Sequence, residues 1–301
     1  MPLKELDEYR HFMGKAEMHK AVNTLVGILE GISLDQDISS AEMEELTNWY
    51  SIHGPLMYQH PFSEIMPVLS DVLSDGVLTQ DEAEDILWVC RNVLNSEEFS
   101  GYFCAVTCAI QELEGILHGI MADNILTDDE ISALRDWMDD HDFLRGTYPF
   151  DEIYSLIIAA REDGVVTEDE RNMLRAFFAT FIDTRESLNI NPFEIQDIQS
   201  RYSIGGVCAV DPEITFEGKT FCFTGTSSRA TRKEVAKWIE DHGGTYRDSV
   251  TKQIDYLVVG ADGNPCWTFA CYGRKVEKAL SLRKSGQSIV IVNEFDLWDA
   301  E

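Results

Sequence analysis

What this chain of 301 residues lacks narrows its chemistry. It has no run of about 18 apolar residues, so no transmembrane helix is expected. Its N-terminus, Met1-Pro-Leu-Lys-Glu-Leu-Asp-Glu8, is charged and has no apolar central segment, which predicts no secretory signal. The seven cysteines, at 90, 104, 108, 208, 222, 266 and 271, include no Cys-x-x-Cys pair. Scattered thiols of this kind fit reduced, mostly buried side chains in a cytoplasm. Cys104 and Cys108 stand one helical turn apart with His118 further along, but zinc needs four converging ligands and no second pair is present. No metal or other cofactor is therefore expected. No Walker A loop, Gly-x-Gly-x-x-Gly, Gly-x-Ser-x-Gly or His-Glu-x-x-His occurs, so no catalytic residues are assigned and no enzyme is expected.

Positive charge is also missing over long stretches. From residue 21 to residue 90 there is no Lys or Arg. Residues 1–200 carry 11 Lys+Arg against 40 Asp+Glu, a net of -29, whereas residues 201–301 carry 13 against 14, a net of -1. These are two chemically different bodies. The acidic one repels nucleic acid and attracts basic protein partners; the alternative is that its charge serves only solubility.

The acidic part is a tandem duplication. Gly27-Ile-Leu-Glu-Gly-Ile32 returns as Gly115-Ile-Leu-His-Gly-Ile120, Trp49 and His53 as Trp137 and His141, and Pro61-Phe62 as Pro149-Phe150. Asp75-Gly76-Val77 returns as Asp163-Gly164-Val165, and every pair is 88 residues apart without a gap. Each copy divides again at Ser/Thr-x-x-Glu boxes: Ser39–Glu42, Thr79–Glu82, Thr127–Glu130 and Thr167–Glu170. In such a box the hydroxyl accepts from the N3 amide while the Glu accepts from the cap residue's own N–H. An Asp precedes each box by four residues, at 35, 75, 123 and 163. Apolar residues then follow at helical spacing, as with Ile131, Leu134 and Met138. The expected unit is helix, acidic turn, helix, giving about eight helices in two similar bundles.

The turns have the Gly and Glu of an EF-hand's second half but lack its first-half ligands: Leu73 and Arg161 stand where oxygens are needed. Caps explain them better than calcium. These Asp-Gly-x-[Leu/Val]-Thr-x-x-Glu units resemble, over roughly residues 15–185, helical domains of the tellurite-resistance TerB type. That resemblance implies acidic side chains engaged with metal, and makes a metal-responsive module a further alternative; it carries over no particular residue. Trp49/His53 and Trp137/His141 at i, i+4 read as a core Trp beside a helix-end His, where a cation favours the helix dipole.

Residues 183–212 lose the helical period and read as a connector with one short helix near residues 193–201. The domain expectation is residues 1–98 for the first acidic repeat, 99–184 for the second, 185–213 for a linker and 214–301 for an α/β domain. Thr220-Phe-Cys-Phe223 is a short strand, and Thr231-Arg-Lys-Glu234 is another capping box opening an amphipathic helix that Gly243-Gly244 ends. Asp255-Tyr-Leu-Val-Val-Gly260 is almost continuously apolar, as buried parallel strands are. A basic helix over 272–285, a strand at 288–292 and a short closing helix follow.

The order Gly-Lys-x-Phe-x-Phe-Thr-Gly from 218, Thr231-Arg232, Ile-Glu-x-x-Gly-Gly to 244, Val250-Thr-Lys252, Asp255-Tyr-Leu-Val-Val-Gly260, Lys275-Val-x-Lys-Ala279 and a late Trp298 resembles a BRCT domain. It is most similar to those of NAD-dependent DNA ligases and of the large subunit of replication factor C. The resemblance implies a four-stranded parallel sheet flanked by helices. In phosphate-binding members it implies a phosphate on Thr224 and Gly225, with Arg232 from one helix and Lys275 from the next. Arg229, Lys233 and Lys278 are additional candidate DNA contacts. The alternative is that Thr224-Gly225 is simply the turn this fold requires. The segment 261–271, with Trp267 and Phe269, is longer than its ligase counterpart.

The functional expectation is a non-catalytic adaptor in bacterial or phage DNA metabolism. Its partners would be DNA, at phosphorylated ends, or a phosphorylated protein, with a basic protein on the acidic repeats and no membrane. The alternative is an acidic interaction protein or DNA mimic whose BRCT module drives self-association as a homodimer.

Overall fold

The computed structural model describes residues 3–34, 38–74, 76–97, 99–161, 164–182, 187–201, 208–210, 212–261 and 274–300. Trp267, Phe269, Cys266, Cys271, the segment 202–207 and the turn aspartates 35, 75 and 163 lie outside the described residues. The first repeat supplies α1 (Leu3–Ile32), α2 (Ser40–His53), α3 (Phe62–Leu73) and α4 (Gln80–Leu94). The second supplies α5 (Ala105–Ile120), α6 (Asp128–Asp140), α7 (Phe150–Ala160) and α8 (Glu168–Phe178). A connecting helix α9 (Pro192–Arg201) precedes the C-terminal domain. None of the described helices is long and apolar enough to cross a membrane.

All four expected capping boxes form. Thr79 N–H donates to Glu82 Oε2 at 2.9 Å and Glu82 N–H to Thr79 Oγ1 at 3.3 Å; Ser39, Thr127 and Thr167 repeat the exchange with Glu42, Glu130 and Glu170. Each Glu is thereby committed to its own helix start. Three of the boxes follow a residue with left-handed backbone, placed three positions before the capping hydroxyl: Gly76 has φ +72°, Gly164 +81° and Asn124 +64°. Gly and Asn adopt that region at least cost, which accounts for the glycine that mimics a calcium loop. His53 and His141 close α2 and α6 by donating from Nδ1 to the carbonyls of Trp49 and Trp137, both at 2.8 Å, with each imidazole stacked on its Trp.

The duplicated glycines mark where the two copies touch. A Cβ on Gly27 would lie 2.0 Å from the Glu112 carbonyl oxygen, and one on Gly115 2.2 Å from that of Thr24. Gly31 and Gly119 are also close, against Ile116 and Ile28. The α1 and α5 backbones therefore meet at equivalent positions, and Asn23 Nδ2 donates to Gln111 Oε1, again 88 residues away, at 2.8 Å. Val22, Leu25, Leu29, Leu46, Phe62 and Ile65 lead the core that the first repeat builds beneath α1.

The same crossing brings two carboxyls together. Burial, then the charge of Glu112 and a hydrogen bond shared with it, push Glu30 up to about 7, against the opposing pull of Arg91. A carboxyl raised in the folded state holds its proton there, so its contribution is fully present below its ordinary value of 4.5 and is lost as pH rises through about 7. Glu30→Gln is expected to remove this component. Melting curves from pH 5 to 8 should show the wild type losing up to about 3 kcal/mol more than the variant; parallel curves would exclude a proton held at this crossing.

The C-terminal domain has strands β1 (Thr220–Thr224), β2 (Thr245–Arg247), β3 (Tyr256–Val259) and β4 (Val290–Asn293), all parallel, in the order β2-β1-β3-β4. Helices α10 (Arg232–Asp241), α11 (Arg274–Lys284) and α12 (Glu294–Asp299) complete it. Cys222, Leu257, Val259 and Ile291 pack on one sheet face with Val276 and Ala279 of α11. Phe221, Phe223, Val258 and Val292 pack on the other with Val235 and Ile239 of α10. Both faces are covered, which is why these strands read as continuous apolar runs.

Two compact units result, one of residues 1–141 with 178–195 and one of 142–177 with 196–301. The first division falls inside the second repeat, after residue 141. Helices α5 and α6 belong with the first repeat, because α5 crosses α1 at the glycines. Helices α7 and α8 belong with the sheet. There Arg283 of α11, 3% exposed, is inserted into the turn that opens α7. Its Nε and Nη2 donate to Glu152 Oε1 and Oε2 at 2.7 and 3.0 Å, and Nη2 also to Thr147 O at 2.9 Å and Asp151 Oδ2 at 3.3 Å. Nη1 donates to Gly146 O at 3.3 Å and to Ile289 O.

Candidate phosphate site

Strand β1 ends at Thr224, only 7% exposed, and the chain turns at Gly225 with φ +78°. The turn is seated tightly on the end of β3: Gly260 N–H donates to Thr224 O at 2.9 Å, and a Cβ on Gly260 would meet Thr226 O at 2.2 Å. Beyond it Ser227 Oγ accepts from the amides of Arg229 and Ala230, both at 3.1 Å, folding the loop into the start of α10. That helix opens on the expected capping box, with Thr231 N–H donating to Glu234 Oε2 at 2.8 Å.

The two basic residues expected from separate helices both reach this turn. Arg232 Nη2 donates to Gly225 O at 3.2 Å, and Lys275 Nζ donates to Phe223 O at 2.8 Å. They hold the carbonyls on either side of Thr224. One contact leaves a guanidinium and an ammonium most of their donors for a further acceptor. Their charges also reach the strands: burial pushes the Cys222 thiol up, and Lys275 and then Arg232 oppose it. Burial and the Asp248 carboxylate push Tyr246 up to about 12, with Arg232 again opposing.

Arg229 and Arg232 line a cavity of about 530 Å³ together with Gly225, Thr226, Ser227 and Thr231. Among the described residues the one carboxylate in its wall, Glu234, is tied to Thr231 by the capping box and is held below the usual carboxylate range by those bonds. Arg229 also stands over the Phe295 ring at 5.4 Å. Lys233 and Lys278 are exposed, and neither they nor Thr224 and Lys275 are among the described residues lining this cavity.

Glu294 is a supporting residue that reading the sequence missed. It is fully buried, and its Oε1 accepts from Ser228 N at 2.7 Å and Ser228 Oγ at 2.5 Å. Burial raises its carboxyl, but hydrogen bonds from Ser227, Ser228 and the Ala261 amide outweigh it and hold the group ionised. Glu294 thus pins the loop after Gly225 from the first turn of α12. The only sequence signal was the Asn293-x-x-Asp296 box that starts this helix.

Residues 211–298 match the family described as BRCA1 C Terminus (BRCT) domain, in agreement with the four-stranded parallel sheet. The chain is 40% identical over 79 residues to a DNA ligase of Fervidobacterium nodosum, covering 26% of this chain and 10% of that protein. It is 33% identical over 108 residues to a DNA ligase of Geotalea daltonii, covering 35% and 14%, and 43% identical over 67 residues to one of Citrifermentans bemidjiense, covering 22% and 9%. The chain thus spans about a tenth of the length of the curated relatives it matches. No solved structure matches it.

Proposed function

We propose that this protein is a non-catalytic adaptor in DNA metabolism, whose BRCT domain binds a phosphate at a DNA end while its acidic helical repeats receive a basic protein. The observation that carries the first half is the convergence of Arg232 and Lys275, from α10 and α11, on the carbonyls flanking Thr224. A phosphate seated at the turn after β1 would meet two cations and the backbone of Gly225, with no uncommitted carboxylate among the described residues of the cavity wall. DNA is favoured over a phosphorylated protein because the relatives are DNA ligases. The near-neutral charge of residues 201–301 permits the approach of a polyanion that residues 1–200, at -29, oppose.

Fluorescence anisotropy with 5′-phosphorylated and unphosphorylated duplexes tests this reading. The phosphorylated end should bind more tightly, and Lys275→Ala or Arg232→Ala should each weaken it about tenfold, as loss of a charged hydrogen bond does. Each should also lower the salt slope by about 1. Unchanged binding by both variants would remove the mechanism. A phosphopeptide bound more tightly than the DNA end would transfer the site to a protein ligand.

A further inference from the structure

We propose that the turn opening α3 in the first repeat, residues 57–64, is a docking point for an arginine-bearing helix of a partner protein. This rests on the reading that the acidic repeats receive a basic protein, and names the place and the chemistry.

The duplication supplies the argument. In the second repeat the corresponding turn already holds an arginine from a helix end: Glu152 clasps Arg283 bidentately, and its remaining N–H groups go to the carbonyls of Gly146 and Thr147, to Asp151 and to Ile289 O of its own domain. Subtracting the 88-residue period places Glu64 at Glu152, Ser63 at Asp151, Gln59 at Thr147 and Tyr58 at Gly146. The hydrogen-bonded turn is shared, Gln59 N–H donating to Leu56 O and Thr147 N–H to Leu144 O, although Gly146 has φ +84° where Tyr58 has no left-handed backbone. A single 3-10 turn comes before each, Gly54–Leu56 and Asp142–Leu144, and Phe62 and Phe150 are both buried as the first residue of the helix.

The two copies differ in cover. Gly146, Asp151 and Glu152 are buried under α11 and β4 of the C-terminal domain. Tyr58 is 88% exposed, and the Glu64 side chain 48%. Glu64 is nevertheless held in place, accepting from His60 Nδ1 at 3.1 Å and Ser63 Oγ at 3.1 Å. No Lys or Arg between residues 21 and 90 competes for it from the same repeat. The substitutions fit a partner arriving from solution. Gly146, with φ +84°, lies beneath Ser288 and Val290, whereas Tyr58 offers an aromatic face on which a guanidinium stacks. Ser63 in place of Asp151 leaves one carboxylate, enough for one arginine. A guanidinium's planar fork matches a carboxylate bidentately and an ammonium does not, so arginine is the expected reader.

The test uses the full-length protein and a fluorescein-labelled synthetic peptide of residues 274–289, which carries Arg283, as the arginine helix. The peptide should bind at low salt. Glu64→Lys, at an exposed position that circular dichroism should show to fold normally, should weaken binding at least tenfold. A peptide with Arg283→Ala should lose at least tenfold, and one with Arg283→Lys a smaller factor. Binding that disappears in salt but ignores both Glu64→Lys and the peptide's arginine would overturn the proposal while leaving the wider attraction for basic partners standing. No binding at low salt would overturn both. Dimers of the chain that dissociate on Glu64→Lys in sedimentation velocity would replace the partner protein by a second copy and equally overturn the assignment.

Discussion

Arg283→Ala is expected to destabilise the unit that holds the C-terminal sheet by about 3–5 kcal/mol, the cost of leaving buried charge without its partner. Two carboxylates, Asp151 and Glu152, would stay buried without their ion-pair partner, and the carbonyls of Gly146, Thr147 and Ile289 would lose donors. Urea denaturation of the wild type and the variant measures the difference. The deficit should also depend on pH. Burial raises both carboxyls, and Arg283 is the largest influence opposing that rise, joined at Asp151 by the Gly146 amide and Arg145. Without it they ionise at still higher pH in the folded state, so folding becomes less favourable as pH increases. The deficit should therefore be largest near pH 8 and shrink toward pH 5, where the carboxyls take up protons. A deficit equal at both pH values would contradict the buried-charge account and point to lost packing of the arginine stem. Arg283→Met with Asp151→Asn and Glu152→Gln should recover part of the loss, because it removes the charges together.

Gly27→Ala is expected to cost about 3 kcal/mol, the upper range for forcing extra volume into a packed contact. The new methyl would stand 2.0 Å from the Glu112 carbonyl oxygen, which is backbone and cannot rotate away, so α1 and α5 must separate. Gly115→Ala should behave alike, since its Cβ would meet Thr24 O at 2.2 Å. Gly14, on the same helix α1, is the control: nothing lies within 4 Å of its added Cβ. There the alanine's helix preference acts alone and should stabilise by about 0.5–1 kcal/mol. Opposite signs from one substitution on one helix, read from thermal melts, would establish that the repeated glycines serve the crossing. A loss at Gly14 equal to that at Gly27 would assign both to a general effect on the helix.

Much of the architecture was legible because it is written locally. A capping box acts over four residues, so the starts of α2, α4, α6, α8 and α10 could be placed from Ser39, Thr79, Thr127, Thr167 and Thr231. The parallel sheet showed in the apolar runs at 220–224 and 255–260, and the approach of Arg232 and Lys275 to the turn at Thr224-Gly225 was implied by the resemblance to BRCT domains. The glycine repeat was visible as a repeat, but its purpose was not. Nothing in Gly27 or Gly115 alone says that the two copies meet there. Arg283 read as one cation among several on a basic helix, and its carboxylate acceptors lie 131 and 132 residues earlier. Glu294 read as part of a helix start, while the serine it holds is 66 residues away.

By itself, then, the sequence determined the two chemical bodies, the duplication, the helix starts and the strand pattern, since each depends on composition or on neighbours within a turn or a strand. Tertiary structure alone decided which helices belong together, that the second repeat divides between two compact units, and that a buried arginine joins α11 to α7. Those outcomes depend on which surfaces meet, and a helix pattern states that a face is apolar or small without stating what will cover it.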